Sequence, residues 1–292
     1  MARFRLALLT ASVLLASCST QESAVPAQGS KTEESRAAVT DYARLLMIEH
    51  KPEEAFGKYY ADLLIQHDPW IGDGGKGDAE FLRKRREAEP DKYGATEQYI
   101  TVIHNILADG DLVVLKSHVF TAPTDKGREF VDIWRLENGK FAEHWDIIQP
   151  LTAEMVATVG CGFGGTYEAA LKAGDTAAKP VCGSRDPESN SAASKDAAIA
   201  YLQAKAGSGT GRIERVAADG DLVLVHRLVT GGSDKFGTVN ADLMRVKDGK
   251  VVDHWNVTQP VPEFSASGRS MTGGPDTPLE PGRVKRAARA GE

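Results

Sequence analysis

Asp109-Gly110-Asp111-Leu112-Val113 recurs 110 residues later as Asp219-Gly220-Asp221-Leu222-Val223, and this match decides how the 292-residue chain is organised. Extended outward without a gap, 17 of the 50 positions in 102–151 are identical to their counterparts in 212–261. Chance would give about three, and self-similarity at a fixed period marks a repeated structural unit. The shared residues include Asp132 and Asp242, Arg135 and Arg245, and Gly139-Lys140 and Gly249-Lys250. His144-Trp145 and His254-Trp255, and Gln149-Pro150 and Gln259-Pro260, complete the pattern. The chain therefore reads as two tandem copies of one module.

Within the first copy, 98–108, 112–121, 129–136 and 140–149 are rich in Val, Ile, Phe and Trp and read as four antiparallel strands. Asp109-Gly110 and Asn138-Gly139 supply the hairpin turns. Upstream the apolar spacing becomes helical, over 38–49, 53–64 and 79–87. Helices followed by a curled sheet give an α+β layering in each copy. The second copy has a worn front half. At an offset of 118, Asp68-Pro69 meets Asp186-Pro187 and Asp78-Ala79 meets Asp196-Ala197, so eight residues (118 minus 110) are missing before its sheet. Its stretch 158–174 is rich in Gly and Ala, which weakens helices and their packing. The expected modules are 37–151 and a degenerate 152–263.

The ends differ from this pattern. Arg3 and Arg5 precede an apolar run, 6–16, that suits a secretory signal and is too short for a spanning helix. Leu15-Ala16-Ser17-Cys18 resembles a bacterial lipobox, so 1–17 is expected to be removed and Cys18 to carry lipid, palmitate included. That places the protein in the cell envelope, at the outer membrane if the source is Gram-negative. An ordinary signal peptide cut near Ala16 is the alternative. Residues 18–36 read as a tether and 264–292 as a disordered tail, because neither has a core pattern. Cys161 and Cys182 are then the remaining thiols, and an oxidising envelope favours a disulfide between them, with two buried free thiols as the alternative. The formal charge is -6, or -8 once Arg3 and Arg5 are gone, and no basic cluster points to nucleic acid as a partner.

A three-residue loop, Glu137-Asn138-Gly139, pairs Leu136 with Lys140 and hence Asp132 with His144. Period two then puts Asp132, Trp134, His144 and Asp146 on one face. A two-residue turn slips the register by one and splits this set across both faces. Other readings stay open. Asp132 and Arg135 recur in both copies and suit a structural ion pair, His67-Asp68-Pro69 suits a helix end, and His104 and His118 suit satisfied core histidines. The histidines show no local spacing of a known metal site, so no metal is expected.

Four stretches carry a family resemblance: Leu64-Ile65-Gln66-His67-Asp68-Pro69, Asp109 to Val114 with Ser117-His118-Val119, Asp132 to Lys140, and Glu143 to Pro150. Together they make 38–151 similar to the SnoaL-like polyketide-cyclase proteins of the nuclear transport factor 2-like superfamily, and more narrowly to the branch described as predicted aldol-condensation enzymes. The resemblance implies two cone-shaped modules, each with helices packed on a curved antiparallel sheet around a cavity. It also implies acid/base chemistry without metal or cofactor. Asp146 stands where the family's final-strand base is expected. His144, His118 and His67 would polarise a carbonyl or relay the proton. Asp132, Trp134 and Trp145 would line the ligand site.

The implied ligand is a small carbonyl-containing or apolar molecule. In the second copy Asn256 replaces Asp146, Arg185 replaces His67, Leu228 replaces His118 and Met244 replaces Trp134. Base catalysis is not expected there. Members of this superfamily often pair through their sheets, so the second copy is expected to pair with the first inside one chain. A non-catalytic ligand-binding or docking lipoprotein is the alternative function.

Overall fold

The computed structural model describes residues 28–75, 78–79, 83–84, 87, 100–120, 126–158, 167, 170, 184–206 and 211–287. The expected leader, Cys18, Cys161 and Cys182 lie outside these residues. Helix α1 (Gln28–Ala43) runs into a wider π turn at Arg44–Ile48, then α2 (Pro52–Tyr59) leads directly into β1 (Tyr60–Gln66). Strands β2 (Ile100–Asp109), β3 (Leu112–Phe120), β4 (Arg128–Glu137) and β5 (Lys140–Pro150) follow. After α3 (Ala153–Thr158) and α4 (Ser191–Ala206) come β6 (Arg212–Asp219), β7 (Leu222–Val229), β8 (Thr238–Lys247) and β9 (Lys250–Pro260). Two short pieces, β10 (Phe264–Ser265) and β11 (Val284–Lys285), pair near the end. No helix among the described residues is long and apolar enough to cross a membrane.

The fold is α+β, with one sheet ordered β1-β5-β4-β3-β2 and the other β6-β7-β8-β9. Both are antiparallel meanders except for β1, which lies parallel to β5. Register and irregularities repeat at the 110-residue offset. Leu112 faces Arg135 as Leu222 faces Arg245, and bulges fall at the same places in both sheets.

Three expectations need correction. The helix read over 53–64 stops at Tyr59, and Tyr60 onward is strand. Leu63, which a helical pattern would bury, is 85% exposed. The tether read as 18–36 is helical from Gln28 onward. The tail read as disordered is ordered and packed from 264 to 287. Met271 and Thr272 are buried, Trp145 Nε1 donates to Gly273 O at 2.9 Å, and Arg283 donates to Pro262 O and Phe264 O. Such coil satisfies its backbone through side chains of other elements, so it leaves no period for a sequence reading to find.

Each sheet carries helix on one face and sheet on the other. Val39, Tyr42, Ala43 and Leu45 pack on Val113, Leu115, Trp134 and Phe141, while Ala198 and Leu202 of α4 pack on Val223, Val225 and Met244. Between the sheets, Val114, Val131, Ile133, Trp145 and Ile147 meet Leu222, Leu224, Ala241, Leu243 and Val257 in one core. Each buried aliphatic or aromatic side chain there contributes about 1.5–3 kcal/mol.

Four polar contacts between the sheets are reciprocal. Ala108 N–H donates to Asp219 and Ala218 N–H to Asp109, at 3.2 and 3.0 Å. Ile148 N–H donates to Gln259 and Thr258 N–H to Gln149, at 2.7 and 3.0 Å. Every partner is matched at the 110-residue offset, which is the pattern of an isologous interface.

Candidate functional site

Asp132, Trp134, His144 and Asp146 do share one face, the one covered by helices, but not by the turn first expected. Asn138 and Gly139 both have positive φ, at 52° and 72°, and form a two-residue turn that pairs Glu137 with Lys140. Alone this would have split the set. The bulge between Arg135 and Leu136, which leaves Ala142 without a partner, adds one residue on β5, so Trp134 faces His144 and Asp132 faces Asp146. The slip is then two residues rather than one, and parity is kept.

Around these residues the chain builds a buried polar nest. His144 Nδ1 lies 3.0 Å from Gln66 Oε1, and Gln66 Nε2 lies 3.1 and 3.2 Å from the two oxygens of Asp78. With the amide nitrogen donating to Asp78, Gln66 Oε1 must accept, so His144 Nδ1 carries a proton. His144 Nε2 then meets Asp132 Oδ1 at 3.3 Å. That contact is favourable only when a proton lies between the two. The Trp134 indole stacks on the imidazole, with centroids 5.1 Å apart and planes inclined by 12°. Asp146 is hydrogen-bonded to Asp68, whose other role is to accept the N–H of Trp70 at 2.6 Å.

Burial pushes the Asp146 carboxyl well above the ordinary carboxylate range, and the charges of Asp68 and Asp132 push the same way. Burial raises Asp68 as well and brings Asp78 to about 7. In the Asp68–Asp146 pair the bond favours the proton on Asp146, with Asp68 as acceptor. Three buried atoms of this face have no hydrogen-bond partner among the described residues: Asp132 Oδ2, Trp134 Nε1 and Asp146 Oδ1. Nitrogen and oxygen atoms of Asp132, His144 and Asp146 lie within 4.8 Å of one another, close enough to share a cation.

The other expected residues lie elsewhere. In the run Gln66-His67-Asp68, Gln66 and Asp68 turn toward the nest and His67 turns away. His67 stacks on Trp145, its Nδ1 donates to Ser270 O at 2.6 Å, and its Nε2 lies 2.9 Å from Glu143. Trp145 is part of the core between the sheets. His118 pairs across strands with Glu129, on the face opposite Asp146, with Nε2 donating to Lys126 O at 3.0 Å. So the structure brings Asp146, His144, Asp132 and Trp134 together and keeps His67, His118 and Trp145 out.

The suggested Asp132–Arg135 ion pair is replaced by Arg135 with Glu143, at 2.9 Å, and with Glu137. Sequence reasoning missed Gln66, Asp68 and Asp78. Reading 53–64 as helix hid the strand alternation that selects Gln66 and Asp68 over His67.

A cleft of about 980 Å³ opens between α2, β1 and the turn at Gly74, lined by Pro52, Phe56, Tyr60 and Arg83 among others. Asp146 and His144 do not line it. Tyr60 links the two regions: it borders the cleft, its hydroxyl lies 2.7 Å from that of Tyr42, and burial together with the charges of Asp78 and Asp132 raises its phenol.

Residues 39–144 match the family described as SnoaL-like domain. No curated protein matches the chain. A solved structure of a candidate polyketide cyclase from Acidithiobacillus ferrooxidans is similar at 22% identity, over 39% of this chain and 87% of its own, with a TM-score of 0.31. A candidate ketosteroid isomerase from Kribbella flavida is similar at 17% identity, over 42% and 82%, with a TM-score of 0.34. A candidate isomerase of the SnoaL-like family from Agrobacterium tumefaciens is similar at 14% identity, over 39% and 97%, with a TM-score of 0.31. The match with the SnoaL-like family thus falls within the first module and leaves the second unmatched.

Proposed function

We propose that the first module is a cofactor-independent acid/base enzyme acting on a small carbonyl compound, with Asp146 as the base. The observation that carries this reading is the presence of an unpartnered carboxylate oxygen, Asp146 Oδ1, and an unpartnered donor, Trp134 Nε1, on the same buried sheet face. In its carboxylate form Asp146 takes the proton alpha to the carbonyl, and the enolate oxygen accepts a hydrogen bond from the Trp134 indole N–H. Return of the proton to another carbon isomerises the compound. Attack of the enolate carbon on a second carbonyl gives an aldol or cyclised product. Burial raises an ordinarily weak carboxylate base toward the range where proton transfer is useful.

The test is deuterium exchange alpha to the carbonyl over a panel of ketones and aldehydes. Exchange above the solvent rate, lowered at least 100-fold in Asp146→Asn, supports the reading. Equal and negligible exchange in both proteins ends it. The second reading, a non-catalytic binder, is favoured by the cleft beside Tyr60, whose lining leaves out Asp146 and His144. It predicts ligand binding that Asp146→Asn leaves intact and no exchange.

Two features of the setting belong to the same proposal. Residues 15–18 support export and lipidation at Cys18. Labelling with a palmitate analogue should mark the wild type and not Cys18→Ser, and labelling of both would refute it. The second module serves as a built-in partner that covers the outer face of the first sheet. Its reciprocal contacts support this, as does the loss of the base at Asn256.

A further inference from the structure

The two sheets carry the same aspartate on their helix-covered faces and surround it differently. In the second module Asp242 stands at the position of Asp132, and both its oxygens are answered. Arg227 Nε donates to Asp242 Oδ2 at 2.6 Å, and Arg227 Nη2 lies 3.4 Å from Oδ1. Asn256 Nδ2 donates to Oδ1 at 2.8 Å, and His254 Nε2 lies 2.7 Å from the same oxygen. Burial alone would raise Asp242, yet the bonds from His254 and Arg227 hold its carboxyl below the ordinary range. The guanidinium comes from β7, where Val225 faces Asp242 and Arg227 faces Asn240.

The first module keeps the aspartate and loses the guanidinium. At the 110-residue offset Ser117 replaces Arg227 and Phe130 replaces Asn240, in the same register, with Leu115 facing Asp132 and Ser117 facing Phe130. In both modules the histidine meets Oδ1 of the aspartate. The Oδ2 that Arg227 holds in the second has no hydrogen-bond partner in the first among the described residues, although Asp132 is only 7% exposed. Ser117 Oγ, fully buried, has none either, and joins the three unpartnered atoms already placed on this face. Phe130 is half-buried and, as hydrocarbon, supplies no donor.

We propose that Asp132 and Ser117 form a subsite for a cationic nitrogen of the ligand, a protonated amine or a guanidinium, which takes the part that Arg227 plays in the second module. The inference rests on the reading of this face as the reaction site, and it narrows the substrate to an amino- or guanidino-carbonyl compound. A carboxylate oxygen buried without a donor is costly, and a donor that arrives with the ligand recovers the cost on binding. A charged N–H makes one of the stronger hydrogen bonds to such an oxygen. Ser117 Oγ accepts a second N–H. Trp134 Nε1 and Asp146 Oδ1 are then left for the carbonyl oxygen and the alpha proton, so one ligand of this class answers all four atoms. A bare metal ion would not, because the indole N–H is a donor only.

The experiment titrates the full chain by calorimetry with butylammonium, butylguanidinium, butanol and Mn2+. At least one of the two organic cations should bind, one per chain, and butanol at least 10-fold more weakly. Asp132→Asn should weaken cation binding at least 10-fold. Ser117→Arg, which supplies the second module's guanidinium within the chain, should do the same while keeping the circular dichroism of the wild type. Should Ser117→Arg fail to fold, the near-isosteric Asp132→Asn decides alone. Proton exchange, measured separately, keeps the two ideas apart. Cation binding that is lost in Asp132→Asn supports the subsite even where no ketone exchanges, and exchange that depends on Asp146 without any cation binding ends the subsite and leaves the base. No binding of either organic cation, undiminished binding by Asp132→Asn, or binding of Mn2+ alone would overturn the proposal.

Discussion

Asp78 is the residue whose acid–base behaviour is most open to measurement, since burial lifts it from the usual carboxylate range to about 7. A carboxyl raised in the folded state binds its proton more tightly there than in the unfolded chain. Its contribution is therefore complete below about pH 4 and is lost as pH rises toward 7. Asp78→Asn keeps the bond with Gln66 possible and removes that loss. Compared with the wild type, it should gain on the order of 2–4 kcal/mol at pH 8 and nothing at pH 4, read from urea midpoints at the two values. An equal difference at both pH values would mean that Asp78 is not raised.

The same logic applies to catalysis at Asp146. The charge and hydrogen bond of Asp68 both help keep the proton on Asp146, so Asp68→Asn should move the acidic limb of any pH–rate profile for exchange to lower pH. An unmoved limb would separate Asp68 from the base.

At the level of elements, two glycines that correspond at the 110-residue offset give a paired comparison. Gly110 and Gly220 both have left-handed φ, at 64° and 63°, but a Cβ on Gly110 meets nothing within 4 Å, whereas one on Gly220 would stand 1.9 Å from Asp186 O. Gly110→Ala should cost about 1–2 kcal/mol from backbone strain alone. Gly220→Ala should cost clearly more, because backbone must also move. Thermal unfolding of the two variants measures the difference, and equal costs would contradict the packing of 184–187 on that turn. The coil after β9 gives a second test. Truncation after Glu263 removes the acceptors of Trp145, Arg215 and His67 and uncovers the core around Met271. The unfolding free energy from chemical denaturation should fall by several kcal/mol, whereas an unattached tail would be lost without effect.

These elements also show what the sequence could and could not reveal. The meander strands were legible within a residue or two, because β-rich runs and Asp-Gly or Asn-Gly turns fix them locally. Strand β1 was not, since its Leu63-Leu64-Ile65 run fits helical and strand spacing equally and only its parallel partner β5 decides. The shared face of Asp132 and Asp146 was reached through the wrong turn, because a bulge has no signature in the residues that make it. That Arg227 answers Asp242 was not legible either, because only the folded register brings the two together across β7 and β8.

At the scale of the molecule, the chain is layered helix, sheet, sheet, helix, and the contact between the sheets uses residues that correspond at the 110-residue offset. A chain of residues 37–151 alone would expose Val114, Val131, Ile133, Trp145 and Ile147 as one apolar face. It should form dimers or larger aggregates at micromolar concentration, measured by light scattering, while the full chain stays monodisperse at the same concentration. A monomeric fragment with native-like stability would show that the second sheet is dispensable.

The reciprocal bonds at Asp109 and Asp219, and at Gln149 and Gln259, have a further consequence. Two separate subunits meeting through such a surface dissociate on dilution, and their stability depends on how much protein is present. Tying the two faces into one polypeptide replaces bulk concentration with a fixed local one set by the connecting segment. The assembled form is then as complete for a single molecule in isolation as it is in a crowded preparation.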